Sequence, residues 1–404
     1  MRDITAVLGR SRLTGEALYT GKETSQVLLL TYMRSGSSLT GDILQHSPGA
    51  FYIYEPFRSL GHKNKSSYIL NYANVVDYWD NVTSLLLLTY MRSGSSLAGD
   101  ILQQAQESFY LYEPLHSVEK ALVEFKHLSM ATPDKSHRLP PLEFNSEAAE
   151  ELYNWFTCDI PKLPNIALLD SFMKKGIKSA MMMDCYRNTV KNVGDISAAL
   201  LLCAKQLKLV CLNSPFRIIK TIRLELSSVS YLLDRLPNLK IIHLVRDPRA
   251  TLMSQSRMGQ CSVTKGGQQG CTERFCKRLE NDVLEEENIL RKHQGRIMPV
   301  FYEDIASEPI KTSKKMYDFI GAEFTQSAEQ YIFNITMAGL ENDCAICTTR
   351  SNSTEHIDSW KTKMKLDFKN IVQNRCNYIL RRYGYKIYTQ DELVNMEVLN
   401  PKQI

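Results

Sequence analysis

The feature that most constrains the fold is a short stretch that the chain carries twice. Residues 85–103 read LLLLTYMRSGSSLAGDILQ, and residues 28–45 read LLLTYMRSGSSLTGDILQ. In each copy an apolar run meets a turn rich in glycine and serine, after which the apolar residues take helical spacing. A strand that enters a helix through such a turn is a unit of α/β proteins. The sequence therefore predicts two copies of one strand–loop–helix unit.

Further strands and helices alternate after the second copy. Residues 216–224, 239–245 and 296–305 are predicted strands, because they are short apolar runs rich in β-branched and aromatic residues. Residues 117–128 have helical spacing, and residues 367–385 are predicted to form one amphipathic helix. This alternation predicts a doubly wound α/β fold with a mainly parallel sheet and helices on both faces.

Composition bounds the partners of the chain. The formal net charge of +5 suits a protein that handles anions, but it is too small to indicate nucleic acid. No apolar run approaches the ~20 residues that cross a bilayer, and the first residues contain no signal-peptide core. Taken alone, these features predict a cytosolic chain with neither nucleic acid nor membrane as a partner.

The cysteines and glycosylation sequons point the other way. The chain has 10 cysteines, and the sequon asparagines are Asn64, Asn81, Asn334 and Asn352. Together they favour an oxidising, secretory compartment. Cys344 and Cys347 form a lone C-x-x-C pair without further ligands at zinc spacing. We predict that this pair is a disulfide or two buried thiols.

The turn of the second copy has the features of an anion site. Gly94 lets the backbone approach a ligand without a side chain, and Ser95 and Ser96 offer hydroxyls and unpaired amides in the first helical turn. A helix N-terminus favours negative charge, and Arg92 adds a positively charged guanidinium that can donate two parallel hydrogen bonds to an anion. A serine-rich helix cap would explain the same residues without a ligand. A Walker A loop is excluded, because G-x-x-x-x-G-K-[ST] is absent.

A second group of polar residues follows a buried strand in LKIIHLVRDPRATLMSQS. Arg246 ends the strand, Asp247 caps the next helix, and Ser254 lies about two turns along that helix. Arg246 and Ser254 can grip a phosphate from two sides. Alternatively, Arg246 and Asp247 form a local capping pair. We expect His243, inside the strand, to be a packed core residue and not a ligand.

Together the two groups resemble the 5′-phosphosulfate loop and the 3′-phosphate motif of sulfotransferases, which use 3′-phosphoadenosine 5′-phosphosulfate (PAPS). The chain is most similar in pattern to the Golgi carbohydrate 6-O-sulfotransferases of keratan, chondroitin and glycoprotein glycans. The resemblance covers residues 85–388 and includes RSGSS, FYLYEPL, IKTIRL, LVRDPRATLMSQS, FYEDIASEP, SW and RRYGYK. It implies the P-loop-like sulfotransferase fold.

The resemblance implies roles by position. The residues that would hold the 5′-phosphosulfate are Arg92, Ser93, Gly94, Ser95 and Ser96. Arg246 and Ser254 would hold the 3′-phosphate. Arg92 would also stabilise charge on the bridging oxygen, but an arginine cannot serve as a general acid. The chemistry requires no metal.

Glu113, in FYLYEPL, is the predicted general base, because a sugar hydroxyl must lose its proton near the moment of attack. It follows the strand after the loop helix, so it should reach the same edge of the sheet. A capping or salt-bridging role is the alternative. Lys220 and Arg223 are predicted to steer an anionic glycan or the cofactor, and Arg350 to lie where the family closes over the nucleotide.

The repeat, the polar segments around it and the resemblance together give the predicted domain boundaries. A polar N-terminal segment (1–26) precedes the extra loop copy (27–59), and a polar linker (60–84) leads to the sulfotransferase domain (85–388) and a C-terminal tail (389–404). A doubly wound sheet has one nucleotide site, and the near-identity of the copies indicates a tandem duplication. We predict that only the second loop works, because the second copy runs straight into an amphipathic helix whereas the first runs into a polar stretch. The residues of the alternative site are Arg34, Ser35, Gly36, Ser37, Ser38 and Glu55.

The predicted function is transfer of a sulfuryl group from PAPS to the 6-hydroxyl of a hexose or N-acetylhexosamine in a glycan or glycosaminoglycan. The resemblance implies the Golgi lumen, with membrane contact only through an anchor that this sequence does not show. Two alternatives remain. One is an inactive PAPS- or glycan-binding paralogue whose extra copy has displaced the working loop, and the other is a P-loop phosphotransferase.

Overall fold

The computed structural model describes residues 82–125, 129–131, 136–138, 144–261, 266–340, 348–349 and 351–398. All of them belong to one compact unit, Trp79–Ile404. Several predicted features lie outside the described residues, namely the first loop copy with its site residues from Arg34 to Glu55, the sequons at Asn64 and Asn81, the pair Cys344 and Cys347, and Arg350.

A sheet of five parallel strands forms the centre of this unit. The strands of the described residues, in chain order, are β1 Thr83–Leu88, β2 Ser108–Tyr112, β3 Ser129–Ala131, β4 Ser136–Arg138, β5 Phe216–Thr221, β6 Leu239–Val245 and β7 Ile297–Phe301. The central sheet has the order β2-β5-β1-β6-β7, and every pairing in it is parallel. Strands β3 and β4 form a separate antiparallel pair. The mainly parallel sheet predicted from the sequence is confirmed.

Helices connect the strands and continue to the end of the described chain. They are α1 Ser95–Leu102, α2 His116–Phe125, α3 Phe144–Phe156, α4 Asn165–Leu168, α5 Met181–Val193, α6 Ile196–Leu212, α7 Leu232–Arg235, α8 Pro248–Arg257, α9 Gly267–Lys292, α10 Tyr302–Ser307, α11 Pro309–Ile320, α12 Gln326–Thr336, α13 Ser359–Lys363, α14 Leu366–Arg375, α15 Asn377–Arg382 and α16 Gln390–Val398. Short 3₁₀ turns occupy Ile160–Lys162, Ser171–Lys175, Leu226–Ser228 and Ser353–His356.

Both faces of the sheet are buried. In β1, Leu86 and Leu88 pack into the hydrophobic cluster on one face, and Leu85 and Leu87 pack into the cluster on the other. Successive side chains of a strand point to opposite faces, so a strand covered on both sides reads as an unbroken apolar run. This explains the run of leucines at 85–88, and helices do cover both faces as predicted.

The structure corrects three predicted boundaries. The strand predicted at 216–224 ends at Thr221. The strand predicted at 296–305 ends at Phe301, and a helix begins at Tyr302. The single helix predicted for 367–385 is two helices that meet at Cys376, which forms a disulfide with Cys276. A residue fixed to a neighbouring helix by a covalent bond limits the path of the backbone, and helical periodicity alone does not show this.

Eight cysteines form four disulfides, namely Cys158–Cys211, Cys185–Cys203, Cys261–Cys271 and Cys276–Cys376. No free cysteine occurs in the described part of the chain. The sequon residues Asn334 and Asn352 are both exposed. Among the helices listed above, none combines the length and the apolar character needed to cross a bilayer.

Candidate active site at the carboxyl edge of the sheet

The loop between β1 and α1 bends through two residues with left-handed backbone. Arg92 has φ 70° and Gly94 has φ 91°. A Cβ atom on Gly94 would lie 2.2 Å from Cδ2 of Tyr302, which is too close for any side chain. Helix α1 then begins at Ser95, and no side chain caps its N-terminus. The amide groups at the start of α1 therefore have no side-chain cap and can bind an anion.

The second predicted group of residues contacts this loop directly. Nε of Arg92 donates a hydrogen bond to Oγ of Ser254 at 2.9 Å. The next residue, Gln255, donates from Nε2 to the carbonyl oxygen of Met91 at 2.8 Å. Because both acceptor and donor lie on α8, the helix that follows β6 fixes the conformation of the loop that follows β1.

Arg246 lies beside the same loop. Its Nη1 donates to the carbonyl oxygen of Arg92 at 3.0 Å, and its Nη2 donates to that of His356 at 2.9 Å. The guanidinium stacks on the ring of Tyr302, 4.1 Å from the centroid. Its Nε is buried, and no described residue accepts a hydrogen bond from it. No described carboxylate forms a salt bridge with Arg246, although its charge acts at longer range on Glu303.

Arg246 and Asp247 do not form the local capping pair that the sequence left open. The partner of Asp247 is Arg249, whose Nη2 lies 2.7 Å from Oδ2 of the carboxylate. Asp247 also caps α8 by accepting from the amide of Arg249. The backbone amide of Asp247 donates to Glu303, and burial raises the pKa of that glutamate.

Glu113 lies at the end of β2, at the same edge of the sheet. It is buried with a left-handed backbone, φ 50°. One carboxylate oxygen binds Nζ of Lys220, and the other lies 2.8 Å from Nη2 of Arg223. Arg223 also pairs with Glu119. The salt-bridging role left open for Glu113 is therefore observed, whereas its catalytic role stays a prediction.

The sequence predicted that Lys220 and Arg223 steer an anion, but in the structure both side chains are already paired. Lys220 is 1% exposed, and both side chains are held by Glu113. Sequence spacing cannot show such pairing, because the two strand ends meet only when β2 pairs with β5.

Tyr112 links these two groups of residues. Its hydroxyl lies 3.0 Å from Oγ of Ser96 in the first turn of α1. The ammonium of Lys220 lies over its ring, 3.9 Å from the centroid. Neither Tyr112 nor Tyr302 was predicted as a site residue, although both stand in the quoted motifs FYLYEPL and FYEDIASEP. The sequence signal that could have identified them is an aromatic residue directly at the end of a strand.

His243 is a core residue, as predicted. It is fully buried in β6, and its Nδ1 lies 2.8 Å from Oε2 of Glu286. Nearby, the hydroxyl of Tyr90 in the loop donates to Asp282, whose pKa is raised by burial. Asp282 of α9 thus holds Tyr90 of the loop in place. The sequence did not indicate this contact.

Backbone strain accompanies the predicted catalytic residues. Among the described residues, the non-glycine positions with positive φ are Arg92, Glu107, Glu113 and Cys158. Such conformations are costly and persist where the surroundings over-determine them, often at functional sites. Two of these four positions were predicted as catalytic from the sequence.

The family model described as the sulfotransferase family matches residues 85–326. The chain belongs to the sulfotransferase family. The match begins at the second loop copy and includes Glu113, Arg246 and Ser254. The protein is accordingly a sulfotransferase, an enzyme of sulfuryl transfer.

Two carbohydrate sulfotransferases match most of the chain. Carbohydrate sulfotransferase 1 of Danio rerio is 28% identical over 348 residues, which cover 78% of this chain and 81% of the relative. Carbohydrate sulfotransferase 3 of Homo sapiens is 28% identical over 338 residues, covering 75% and 67%. Among solved structures, the sulfotransferase domain from the curacin biosynthetic pathway is 15% identical with a TM-score of 0.43, covering 76% of this chain and 99% of that chain.

Proposed function

We propose that this sulfotransferase transfers the sulfuryl group of PAPS to a sugar hydroxyl, the 6-hydroxyl of a hexose or N-acetylhexosamine in a glycan. The names of the two carbohydrate sulfotransferases support a sugar acceptor. The observation that carries the proposal is the contact between the loop after β1 and Arg246 after β6. It brings together the two groups of residues that the sequence predicted to bind anions, which supports a nucleotide with separate 5′ and 3′ phosphates as the ligand.

The residues present fit such a nucleotide. The buried Nε of Arg246 lacks an acceptor among the described residues, which is costly unless a ligand supplies one. At Gly94 a side chain is excluded, so the backbone stays open to a phosphate group. Arg92, Ser93, Gly94, Ser95 and Ser96 would hold the 5′-phosphosulfate. Arg246 and Ser254 would hold the 3′-phosphate.

The strand order supports a division of the site between the two substrates. β1 is central, with β6 on one side and β5 followed by β2 on the other. The residues proposed to bind the nucleotide follow β1 and β6, whereas Glu113 follows β2 and Lys220 lies in β5. We therefore assign the β6 side to the nucleotide and the β2 side to the acceptor. The sulfuryl group would lie between them, above β1.

Proton transfer is assigned to Glu113. PAPS supplies a sulfuryl group whose bond to a phosphate oxygen breaks as the acceptor oxygen attacks. Glu113 would take the proton of that hydroxyl, and its negative charge would be neutralised. Lys220 would then lose its counterion next to the loop and stabilise the negative charge of the departing phosphate, together with Arg92.

The cellular setting belongs to the same proposal. Four disulfides suit the oxidising lumen of the secretory pathway. The exposed sequon residues Asn334 and Asn352 suit it as well. We therefore place the enzyme in the Golgi lumen, with a glycan or glycosaminoglycan as its acceptor.

Transfer of radiolabelled sulfate from PAPS to desulfated keratan, chondroitin and mucin-type glycans tests the function. We expect labelling of at least one acceptor class at the 6-hydroxyl. Tight nucleotide binding with no transfer to any acceptor would favour an inactive binding protein. Phosphate transfer from ATP would favour a phosphotransferase instead.

A further inference from the structure

Three aromatic rings lie together beside the candidate active site. Phe172 packs edge-on against Tyr112, with ring centroids 5.2 Å apart, and stacks on His116 with centroids 4.2 Å apart. We call Tyr112, His116 and Phe172 the aromatic cluster. All three side chains remain partly exposed. Aromatic residues of a core bury their faces, so three neighbouring rings open to solvent at a sheet edge need an explanation.

The cluster touches both halves of the proposed chemistry. The hydroxyl of Tyr112 lies 3.0 Å from Ser96 in the phosphosulfate loop. Its ring lies 3.9 Å from Nζ of Lys220, the partner of Glu113. A group bound against the rings is therefore next to the loop and to the predicted base. It is also on the β2 side of the sheet, away from Arg246.

A buried carboxylate fixes the orientation of the cluster. Oδ2 of Asp170 lies 2.9 Å from Nδ1 of His116, and Oδ1 accepts from the amide of Phe172 at 2.8 Å. The side chain of Asp170 is only 2% exposed, whereas that of His116 is 30% exposed. When the imidazole is neutral, this contact makes Nδ1 the donor and leaves Nε2 as an acceptor. Among the described residues, Nε2 has no hydrogen-bond partner.

We propose that the aromatic cluster is the acceptor subsite and that it binds one pyranose ring of the glycan. The apolar C–H face of the sugar would lie against Phe172 and Tyr112, and Nε2 of His116 would accept a hydrogen bond from a ring hydroxyl. Ligand sites typically combine such aromatic surface with a few fixed polar atoms. This inference rests on the proposed function, because the sugar is taken to be the acceptor.

Calorimetric titration tests the subsite without requiring turnover. The probes are an unsulfated N-acetyllactosamine tetrasaccharide and an unsulfated chondroitin tetrasaccharide, each added to the full chain saturated with adenosine 3′,5′-bisphosphate. Phe172→Leu keeps an apolar side chain but removes the ring, whereas Phe172→Tyr keeps the ring. We expect the leucine variant to bind the preferred probe about fivefold more weakly or worse, and the tyrosine variant to bind it as the wild type does.

His116→Ala should weaken the same probe, while the affinity for the bisphosphate stays unchanged in every variant. Phe333→Leu is the matched control, because Phe333 is 42% exposed and lies on α12. A wild type that binds neither probe would overturn the subsite, and so would equal affinity of the leucine and tyrosine variants. Ring-dependent binding without sulfate transfer would support the subsite and contradict the proposed function.

Discussion

The two sides of the active-site edge treat charge in opposite ways. On the β6 side, Arg246 donates to two carbonyl oxygens and lies over a tyrosine ring, and no described carboxylate forms a salt bridge with it. On the β2 side, Lys220 and Arg223 are both paired with Glu113. The first arrangement leaves the guanidinium of Arg246 without a salt bridge. The second is neutral, because Arg223 also pairs with Glu119.

This difference separates binding from chemistry. A half-buried arginine without a salt bridge gains a charge-assisted, bidentate contact when a phosphate binds. A buried ion pair adds little to stability compared with apolar packing. At the β2 edge the pair holds the side chain of Glu113 in place, where we propose that it accepts the proton of the acceptor hydroxyl. The comparison thus assigns nucleotide affinity to one side and turnover to the other.

The largest effect is expected from the loop that joins the two sides. Arg92→Ala removes the positive charge at the proposed bridging oxygen and the contact to Ser254, so transfer should fall by about 10³-fold or more. Arg34→Ala, the equivalent change in the first copy, is the matched control and should leave transfer intact. Radiolabelled sulfate transfer measures both. The reverse pattern would move the site to the first copy.

A smaller but still large effect is expected at Glu113. Glu113→Gln keeps the shape of the side chain but cannot take a proton, so kcat should fall by about 10² or more. Glu119→Gln is the control, because Glu119 pairs with the same arginine and is more exposed. It should reduce kcat far less. Wild-type turnover in Glu113→Gln would remove this residue from the mechanism.

The smallest effect is expected for the buried carboxyl group of Glu151. Burial raises the pKa of Glu151 to about 8, and the charge of Asp170 adds to the shift. Between the ordinary pKa and this value, the folded protein keeps a proton that the unfolded chain loses. This group therefore destabilises the fold progressively as pH rises. Glu151→Gln removes the effect and keeps an acceptor for Trp155.

We expect Glu151→Gln to raise the Tm, relative to the wild type, more at pH 8 than at pH 5. Thermal unfolding followed by circular dichroism at the two pH values measures the difference. The same change in Tm at both values would show that Glu151 is ionised in the folded protein.

The sequence predicted the β6 side better than the β2 side, for a physical reason. Arg246 and Ser254 are placed relative to each other by one strand and the helix after it, so local spacing predicts that they belong to one group, and only their contact with the loop depends on the pairing of β1 with β6. The pairing of Glu113 with Lys220 depends on two strands that are far apart in sequence and neighbours only in the sheet. The sequence shows that one residue is acidic and the other basic, but it does not show that they form an ion pair.

The aromatic cluster shows the same limit. Phe172 reaches Tyr112 only because a 3₁₀ turn, Ser171–Lys175, folds back over the end of β2. A turn of this length leaves no periodic signal in the sequence. The disulfide at Cys376, which divides the last predicted helix, was likewise hidden, since cysteine positions do not reveal their pairing.

The most direct test of the division between the two sides is calorimetric titration with adenosine 3′,5′-bisphosphate. Arg246→Ala should lose about 2 kcal/mol of binding free energy, or about 30-fold in Kd, because a charge-assisted phosphate contact disappears. Glu113→Gln, measured beside it, should bind the nucleotide as the wild type does. Unchanged affinity in Arg246→Ala, or an equal loss in both variants, would contradict the assignment of the β6 side to the nucleotide.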